Sequence, residues 1–565
     1  MKAQHLAALL LAMLISSPSA FAAPSRVADF ALLDNHGVFH QLSRYLHKEA
    51  LVLMAYSPNC ADMDSMLQQF ELLQSRWQTQ NISFLLIDSS GMGRAELNKI
   101  TAKIAILNDE TQLVSESLDI NHAGEVLVFK PSRKALLYKG PLQEKEQGQE
   151  QLQQILTDSI TDAVKDTVRI DSRGCDIDFP VRDNHRTNTP DYATEVAPII
   201  IENCAECHRQ EGVGPFAIDS HIMLLGWSPM IREVLLNKRM PPTQIDPFIG
   251  HSPDARYLTT QELQTLVHWI DAGGPRGTEV EDPLEQLVFD NRRQWQLGEP
   301  DYIVTPPAND VPSTGVLDYK YVNIELGFEQ DRWLRAAQYL AGDESVLHHL
   351  MTYVTAPEEN FYSGEDHNSV ITRRFLAGYA PGKISAVVYP EDTGVFIPAG
   401  YQLSMQFHYV TNGRSTIDQS QLGLYFHDQP PAHEYLTHVL SPRFHIPAES
   451  ADHEVSQEYS FDTDVVITGL RAHMHFRGKR MKFSVQQNDG NWHDLLSIPA
   501  YNYGWQPHYQ LEQSAFLKAG TKVRVSGAFD NSESNPSNPD PRKEIDFGLE
   551  SWNEMFTGYF SFYRP

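Results

Sequence analysis

The stretch Arg471-Ala-His-Met-His-Phe-Arg-Gly-Lys-Arg-Met481 follows an apolar run, Val465-Val-Ile-Thr-Gly-Leu470, and constrains this chain most. The run reads as a β-strand entering a turn at Gly478. Side chains alternate faces along a strand, so His473 and His475 project the same way, about 6.6 Å apart. Two imidazoles on one face chelate a single metal ion, and further ligands must come from elsewhere in the chain.

At 565 residues the chain is too long for one core, so several domains are expected. Lys2, an apolar run from Leu6 to Ile15 and Ser16-Ser-Pro-Ser-Ala-Phe-Ala22 form the pattern of a cleaved secretory signal over residues 1–22. No later run approaches the ~18 apolar residues of a membrane span. A soluble, periplasmic or secreted protein, cleaved near Ala22, is expected. The formal net charge of -28 argues against nucleic acid as a partner.

Residues 26–165 alternate buried runs with helical stretches: Ala50-Leu-Val-Leu-Met-Ala-Tyr56, then Met63 to Gln78, then Ile82-Ser-Phe-Leu-Leu-Ile-Asp88, then Glu125-Val-Leu-Val-Phe129. That alternation predicts an α/β domain around a central sheet. It resembles the thioredoxin-like fold, with Ser57-Pro-Asn-Cys60 at the redox turn. A second cysteine at Ser57 or Met63 is missing, and Ala123-Gly124 stands where the usual cis-proline would be. A structural or docking role is therefore expected rather than disulfide exchange. Of four cysteines, Cys60 and Cys175 are left either as a lone disulfide or as two thiols. From Arg173 to Pro190 the chain is polar without periodicity, as at a domain boundary.

Cys204-Ala-Glu-Cys207-His208 is the C-x-x-C-H signature of covalent c-type haem attachment. Two thiols at that spacing reach two vinyl groups, and the adjacent imidazole ligates the iron. Lys238-Arg-Met240-Pro-Pro242 offers a thioether as the second axial ligand, with His221, Met223, Met230 and His251 as competitors. A helix over Thr260 to Ala272 stops at Gly273-Gly-Pro275. Residues 190–280 resemble class I cytochrome c, which implies an all-α domain carrying one haem c. Met/His ligation would suit electron transfer.

From Trp295 onward the chain shows short alternating strands and many Pro, Asn and Gly turns, as in β-sandwiches. Three histidine clusters lie there: Val346-Leu-His348-His349-Leu-Met351, Ser404-Met-Gln-Phe-His408-Tyr409-Val410, and the pair His473 and His475. Trp552-Asn-Glu-Met555 precedes a final apolar strand. His427, His433, His438, His445, His453, His493 and His508 read as ordinary core or surface residues.

The order HH, HY, HxH and a terminal EM resembles the copper type II, ascorbate-dependent monooxygenases, the family of peptidylglycine α-hydroxylating monooxygenase and dopamine β-monooxygenase. The resemblance implies two jelly rolls, over 295–430 and 431–565, breaking near Asp428-Gln-Pro-Pro-Ala432. It implies two copper ions, one stored-electron copper on His348, His349 and His408, and one O2-binding copper on His473, His475 and Met555, facing each other across a solvent-filled cleft. Imidazole suits copper in both oxidation states and a thioether favours Cu(I); zinc with a methionine ligand would be unusual. Arg471 and Tyr559 match the family's substrate-carboxylate contacts. Thr557 stands where an asparagine is expected, and no cysteine occurs in this half, unlike the disulfide-rich animal enzymes.

The expected activity is hydroxylation of an activated C–H bond of a small molecule or peptide, with O2 as co-substrate. Electrons would come from an external donor, ascorbate-like or a redox protein, relayed by the chain's own haem. The alternative is a copper-binding electron-transfer or copper-handling protein without hydroxylase activity.

Overall fold

A computed structural model describes residues 25–565 except 143–147, 164–165, 211, 243–244, 254, 256, 278–280, 289–293, 358–373, 380–385 and 549. The expected signal segment, residues 1–22, lies outside the described residues.

The N-terminal region is a thioredoxin-like α/β unit. Strand Ala50–Tyr56, an unbroken apolar run, is buried at every position, as a central strand covered on both faces must be. It pairs in parallel with Ile82–Asp88 and antiparallel with Glu125–Lys130, which continues to Ala135–Pro141. Helix Met63–Trp77 lays Met63, Leu67, Phe70 and Leu73 on this sheet. Cys60 and Cys175 form a disulfide across 115 residues. The segment carrying Cys175 is also held by backbone bonds, Ala123 N to Cys175 O at 2.9 Å and Ile177 N to Asn121 O at 2.9 Å. The crosslink thus ties the turn at Cys60, and these backbone bonds the loop at Ala123-Gly124, to the chain leaving the domain.

Between residues 180 and 271 the regular elements are helical. Helix Pro180–Thr187 was not expected, because it buries none of its residues and so leaves no apolar period in the sequence. Helix Thr260–Asp271 starts at a complete capping box of Thr259 and Glu262 and packs Leu266, Val267 and Trp269 inward. Trp269 stacks beside Tyr192, whose hydroxyl donates to Asp282 at 2.5 Å. This segment is anchored on the N-terminal unit by Arg94 and Asp246, both buried, at 2.6 Å. A second bond, Asp246 N to Ser497 O at 2.8 Å, fastens it to the C-terminal half.

The described elements from Tyr302 onward are all strands. A nine-stranded sheet runs through the whole half, in the order Tyr302–Val304, Gln421–Phe426, Arg332–Leu340, Thr393–Ile397, His433–Leu440, Thr557–Tyr563, Val465–His473, Tyr509–Leu517, with Ala386–Val388 added to Arg332–Leu340. Two four-stranded sheets cover its two ends. One contains Leu347–Thr355 and Gln402–Tyr409, the other Gly478–Gln486 and Lys522–Phe529. Each covering sheet closes a core of its own, around Leu334, Leu350 and Phe407 on one side and Phe483, Val525 and Phe560 on the other. The sheet passes between the two sandwiches at a narrow parallel joint, Thr393 to His433 and Gly394 to Glu434.

Two outcomes are expected of the N-terminal unit. Cys175→Ser should lower its unfolding free energy by about 2–4 kcal/mol, read as an earlier first transition in urea. Asp109 is fully buried, and burial raises its pKa from 3.8 to about 6 although Ser115 and Val114 donate to it. The native state then holds the proton more tightly than the unfolded chain. That contribution is complete below pH ~4 and is lost as pH rises through 6, a change of about 3 kcal/mol. Melting of Asp109→Asn across this window should lack the slope that the parent protein shows.

Candidate metal centres at the junction of two sandwiches

Strands Leu347–Thr355 and Gln402–Tyr409 are antiparallel neighbours with His349 opposite His408. A regular strand would send His348 and His349 to opposite faces. The register is irregular between Leu347 and His349, and such a bulge re-aims side chains. The candidate ligand nitrogens of His348, His349 and His408 consequently lie within 4.8 Å of one another. Burial pushes the His348 imidazole down to about 4 and that of His408 to about 3, and holds His349 well below its ordinary value. All three are neutral at pH 7, with lone pairs available. His348 Nδ1 and His349 Nε2 are buried without a hydrogen-bond partner. Orphaned ring nitrogens are costly unless something absent from a bare polypeptide takes the lone pair. Three imidazoles so placed fit a copper ion.

His473 ends the strand Val465–His473 and pairs with Thr557, so that Arg471 faces Tyr559. His475 lies two residues past the end of that strand, and Met555, half-buried, lies two residues before Thr557. The His473 and His475 rings are 5.1 Å apart. His473 Nδ1 donates to Gln506 Oε1 at 2.6 Å, and His475 Nδ1 to Asn553 O at 3.2 Å. Each bond fixes the tautomer that leaves Nε2 as the donor atom, the usual outer support of a metal-binding histidine. His475 Nε2 is another orphan.

Glu554, fully buried, holds this corner together. Its carboxylate accepts from His475 N at 2.8 Å and Arg477 N at 2.6 Å, and Arg477 Nη1 stands 3.8 Å away. Burial raises its pKa to about 8. The HxH turn is thereby pinned to the segment that carries Met555.

One loop touches both histidine sets. The Tyr503 hydroxyl is 3.3 Å from His408 Nε2, 3.3 Å from Tyr319 Oη and 3.0 Å from Ser551 Oγ. Its ring lies 6.1 Å from that of His348 and 6.1 Å from that of His475. Gln506, three residues on, holds His473, and a Cβ on Gly504 would lie 3.9 Å from His348 Nε2. A tyrosine thus stands where the family resemblance implies open solvent. Tyr503, Gln506 and Glu554 were not singled out from the sequence. A polar Asn-Tyr-Gly turn far from the ligands carries no local signal, and Glu554 entered the sequence reading only as part of the terminal EM of the family pattern.

Arg471 is 4% exposed. Its Nη1 donates to Met351 Sδ at 2.7 Å, its Nε has no partner, and Phe375 and Tyr559 rings lie 5.9 and 6.0 Å from the guanidinium carbon. Among the described residues no carboxylate pairs with it. The default readings hold for His427, which bonds Thr393 O, for His508, which bonds Ser561 Oγ, and for His445, exposed beside Asp546.

In the helical segment, Cys204 and Cys207 are thiols, half-exposed just after helix Ala197–Asn203. His208 Nδ1 donates to Phe216 O at 3.0 Å, leaving Nε2 for a ligand. Phe216 stacks on Trp227 at 4.2 Å. One helical turn either side of Trp227 stand Met223 and Met230, exposed with Ile222 and Leu225. An apolar surface beside a poised imidazole fits a flat apolar macrocycle. Met240 is also exposed and lines a cavity of about 980 Å³ where the three regions meet, as does His251. His221 Nε2 bonds Gly274 O at 2.8 Å.

No family model matches the chain, and no curated protein does. Solved structures that resemble part of it include a hypothetical protein from Sinorhizobium meliloti, 18% identical over 28% of this chain and 93% of that one, with a TM-score of 0.25. Others are a peroxidoxin from Mycobacterium tuberculosis (17% identity, 25% and 96% coverage, TM-score 0.21) and the mitochondrial 2-cys peroxiredoxin from Plasmodium falciparum (14%, 25% and 96%, 0.20). None bears on the histidine clusters.

Cu(II) titration followed by electron paramagnetic resonance should show two type II signals' worth of bound metal in the parent chain. His408→Ala should lose one and His473→Ala the other; loss of both in each variant would contradict two separate centres.

Proposed function

We propose that the chain is an exported copper-dependent monooxygenase that hydroxylates an activated C–H bond with O2, drawing electrons through its own c-type haem. The observation that carries this reading is the convergence of five imidazoles, three buried and two half-buried, in sets of three and two, with ring nitrogens left unsatisfied in both sets. A fold has no structural use for such a cluster, because each orphan nitrogen costs about 1–3 kcal/mol.

When bound, two copper ions supply the two electrons and the oxygen-reducing centre that the reaction needs. His348, His349 and His408 would hold the electron-storing ion. His473, His475 and the Met555 thioether would hold the ion that meets O2, the soft sulfur favouring its reduced state. Gln506 and Asn553 O keep the two imidazoles aimed, and Glu554 keeps the turn closed against the Met555 segment. Arg471, a buried cation lacking a described carboxylate partner, would receive an anionic group of the substrate, with Tyr559 beside it. That arrangement favours a carboxylate-bearing substrate, a peptide or a small acid. Cys204 and Cys207 would hold one haem c, with His208 and Met240 as axial ligands. The thioredoxin-like unit would serve as scaffold, its sole cysteine at the turn being already paired with Cys175.

Met555→Ala should keep the haem spectrum and the three-histidine copper but lose hydroxylation. The assay is O2 uptake with ascorbate and either a glycine-extended peptide or an aromatic amine, together with incorporation of labelled oxygen into product. Full activity in this variant would contradict the assignment. Copper binding without substrate-dependent O2 uptake would favour a copper-handling protein.

A further inference from the structure

Arg209, the residue after His208, reaches out of the helical segment into the first sandwich. Its Nη2 lies 2.6 Å from Glu344 Oε2, and the two side chains are only 13% and 20% exposed. The same guanidinium donates to Glu206 O at 3.2 Å through Nε and contacts Gln210 O at 3.4 Å. It therefore moves as part of the Cys204–His208 turn rather than as a free surface arm. Glu344 stands on an equally fixed support. Asp343 N donates to Asp418 Oδ1 at 2.9 Å, and the Asp343 carboxylate accepts from Ser345 N at 3.0 Å and Thr416 Oγ1 at 2.8 Å. Leu347 N then bonds Asp343 O at 3.1 Å, and the next two residues are His348 and His349.

Resting on the reading above, we infer that the Arg209–Glu344 pair is the docking contact that sets the electron path from the haem turn to the three-histidine copper. One backbone step separates Arg209 from His208, and four separate Glu344 from His348, so the pair joins the two redox positions by the short arms of two rigid loops. Among the described residues, Arg94 to Asp246 and His268 to Glu116 bind the helical segment to the thioredoxin-like unit, and Asp246 N to Ser497 O and Glu512 N to His251 O bind it to the second sandwich. They hold the segment in place without fixing its distance from His348. In a chain with net charge -28, a basic side chain on the haem turn also selects one acidic loop among many by geometry rather than by charge alone. The step is a transfer of one electron. Ferrous haem becomes ferric, copper(II) at the three histidines becomes copper(I), and no bond or proton changes hands; the external donor later reduces the haem again.

The test is laser-flash reduction of the haem in the oxygen-free, copper(II)-loaded full chain, with the ferrous haem band followed in time. Arg209→Glu and Glu344→Arg should each slow the decay by about tenfold or more, and the double exchange should recover most of the rate, as a directly coupled pair does. Glu344→Gln, which keeps the loop's shape, should give a smaller slowing. Haem absorbance and copper content, unchanged in each variant, show that the fold is intact. Single reversals at the parent rate, or a double exchange as slow as the singles, would overturn the docking role alone. A parent haem that keeps its electron whether or not copper is bound would instead overturn the three-histidine site as electron acceptor, and the inference with it.

Discussion

The contact on which the C-terminal half depends is a buried carboxylate gripping a turn. Glu554 has no exposure to solvent, and it accepts the backbone amides of His475 and Arg477. Taking a carboxylate out of water is expensive, and those bonds with the nearby Arg477 are what offset it. Burial still wins in part, because the group's pKa rises. A chain retains such an arrangement when the position of the turn matters more than the stability lost. Here the turn carries His475, and the residue after Glu554 is Met555. The same side chain thus registers two candidate ligands 80 residues apart in sequence.

The wider architecture repeats that logic at larger scale. The final strand, Thr557–Tyr563, enters between His433–Leu440 and Val465–His473, so the last segment of the chain closes the sheet that supports the HxH pair. The other histidines sit on the covering sheet of the neighbouring sandwich. Tyr503 reaches from one sandwich toward His408 of the other and so keeps the two sets in one desolvated pocket rather than on two walls of open water. Every imidazole pKa there is driven down by burial first, and neighbouring histidines lower those of His349, His408 and His475 further. Protonation of the cluster is suppressed, and its lone pairs stay exposed to whatever electrophile enters.

What was legible in the sequence follows from the range over which each interaction acts. The runs Ala50–Tyr56 and Ile82–Asp88 announce a covered sheet because they are almost wholly apolar and, Ser83 apart, buried at every position. His473 and His475 announce themselves through strand periodicity. His348 and His349 do not, since adjacent strand residues diverge; the bulge that aims them together depends on pairing with Gln402–Tyr409. Tyr503, Gln506 and Glu554 act through contacts dozens of residues away, and no periodicity encodes them. The pairing of Cys60 with Cys175 was open for the same reason. Helix Pro180–Thr187 was hidden because it has no buried face.

The position of the helical segment adds the last constraint. It is wedged among three neighbours, held to the thioredoxin-like unit through Arg94 and Asp246, to the second sandwich through Asp246 and Ser497, and to the first through Arg209 and Glu344. A segment that swung freely would need only a flexible linker. Instead the segment leaves the thioredoxin-like unit under the Cys60–Cys175 crosslink, which fixes its point of departure, and meets the half-buried Arg209–Glu344 ion pair on arrival. The disulfide does not need to be catalytic to matter for redox chemistry. It fixes the point at which the chain leaves the N-terminal unit, beside Ala123.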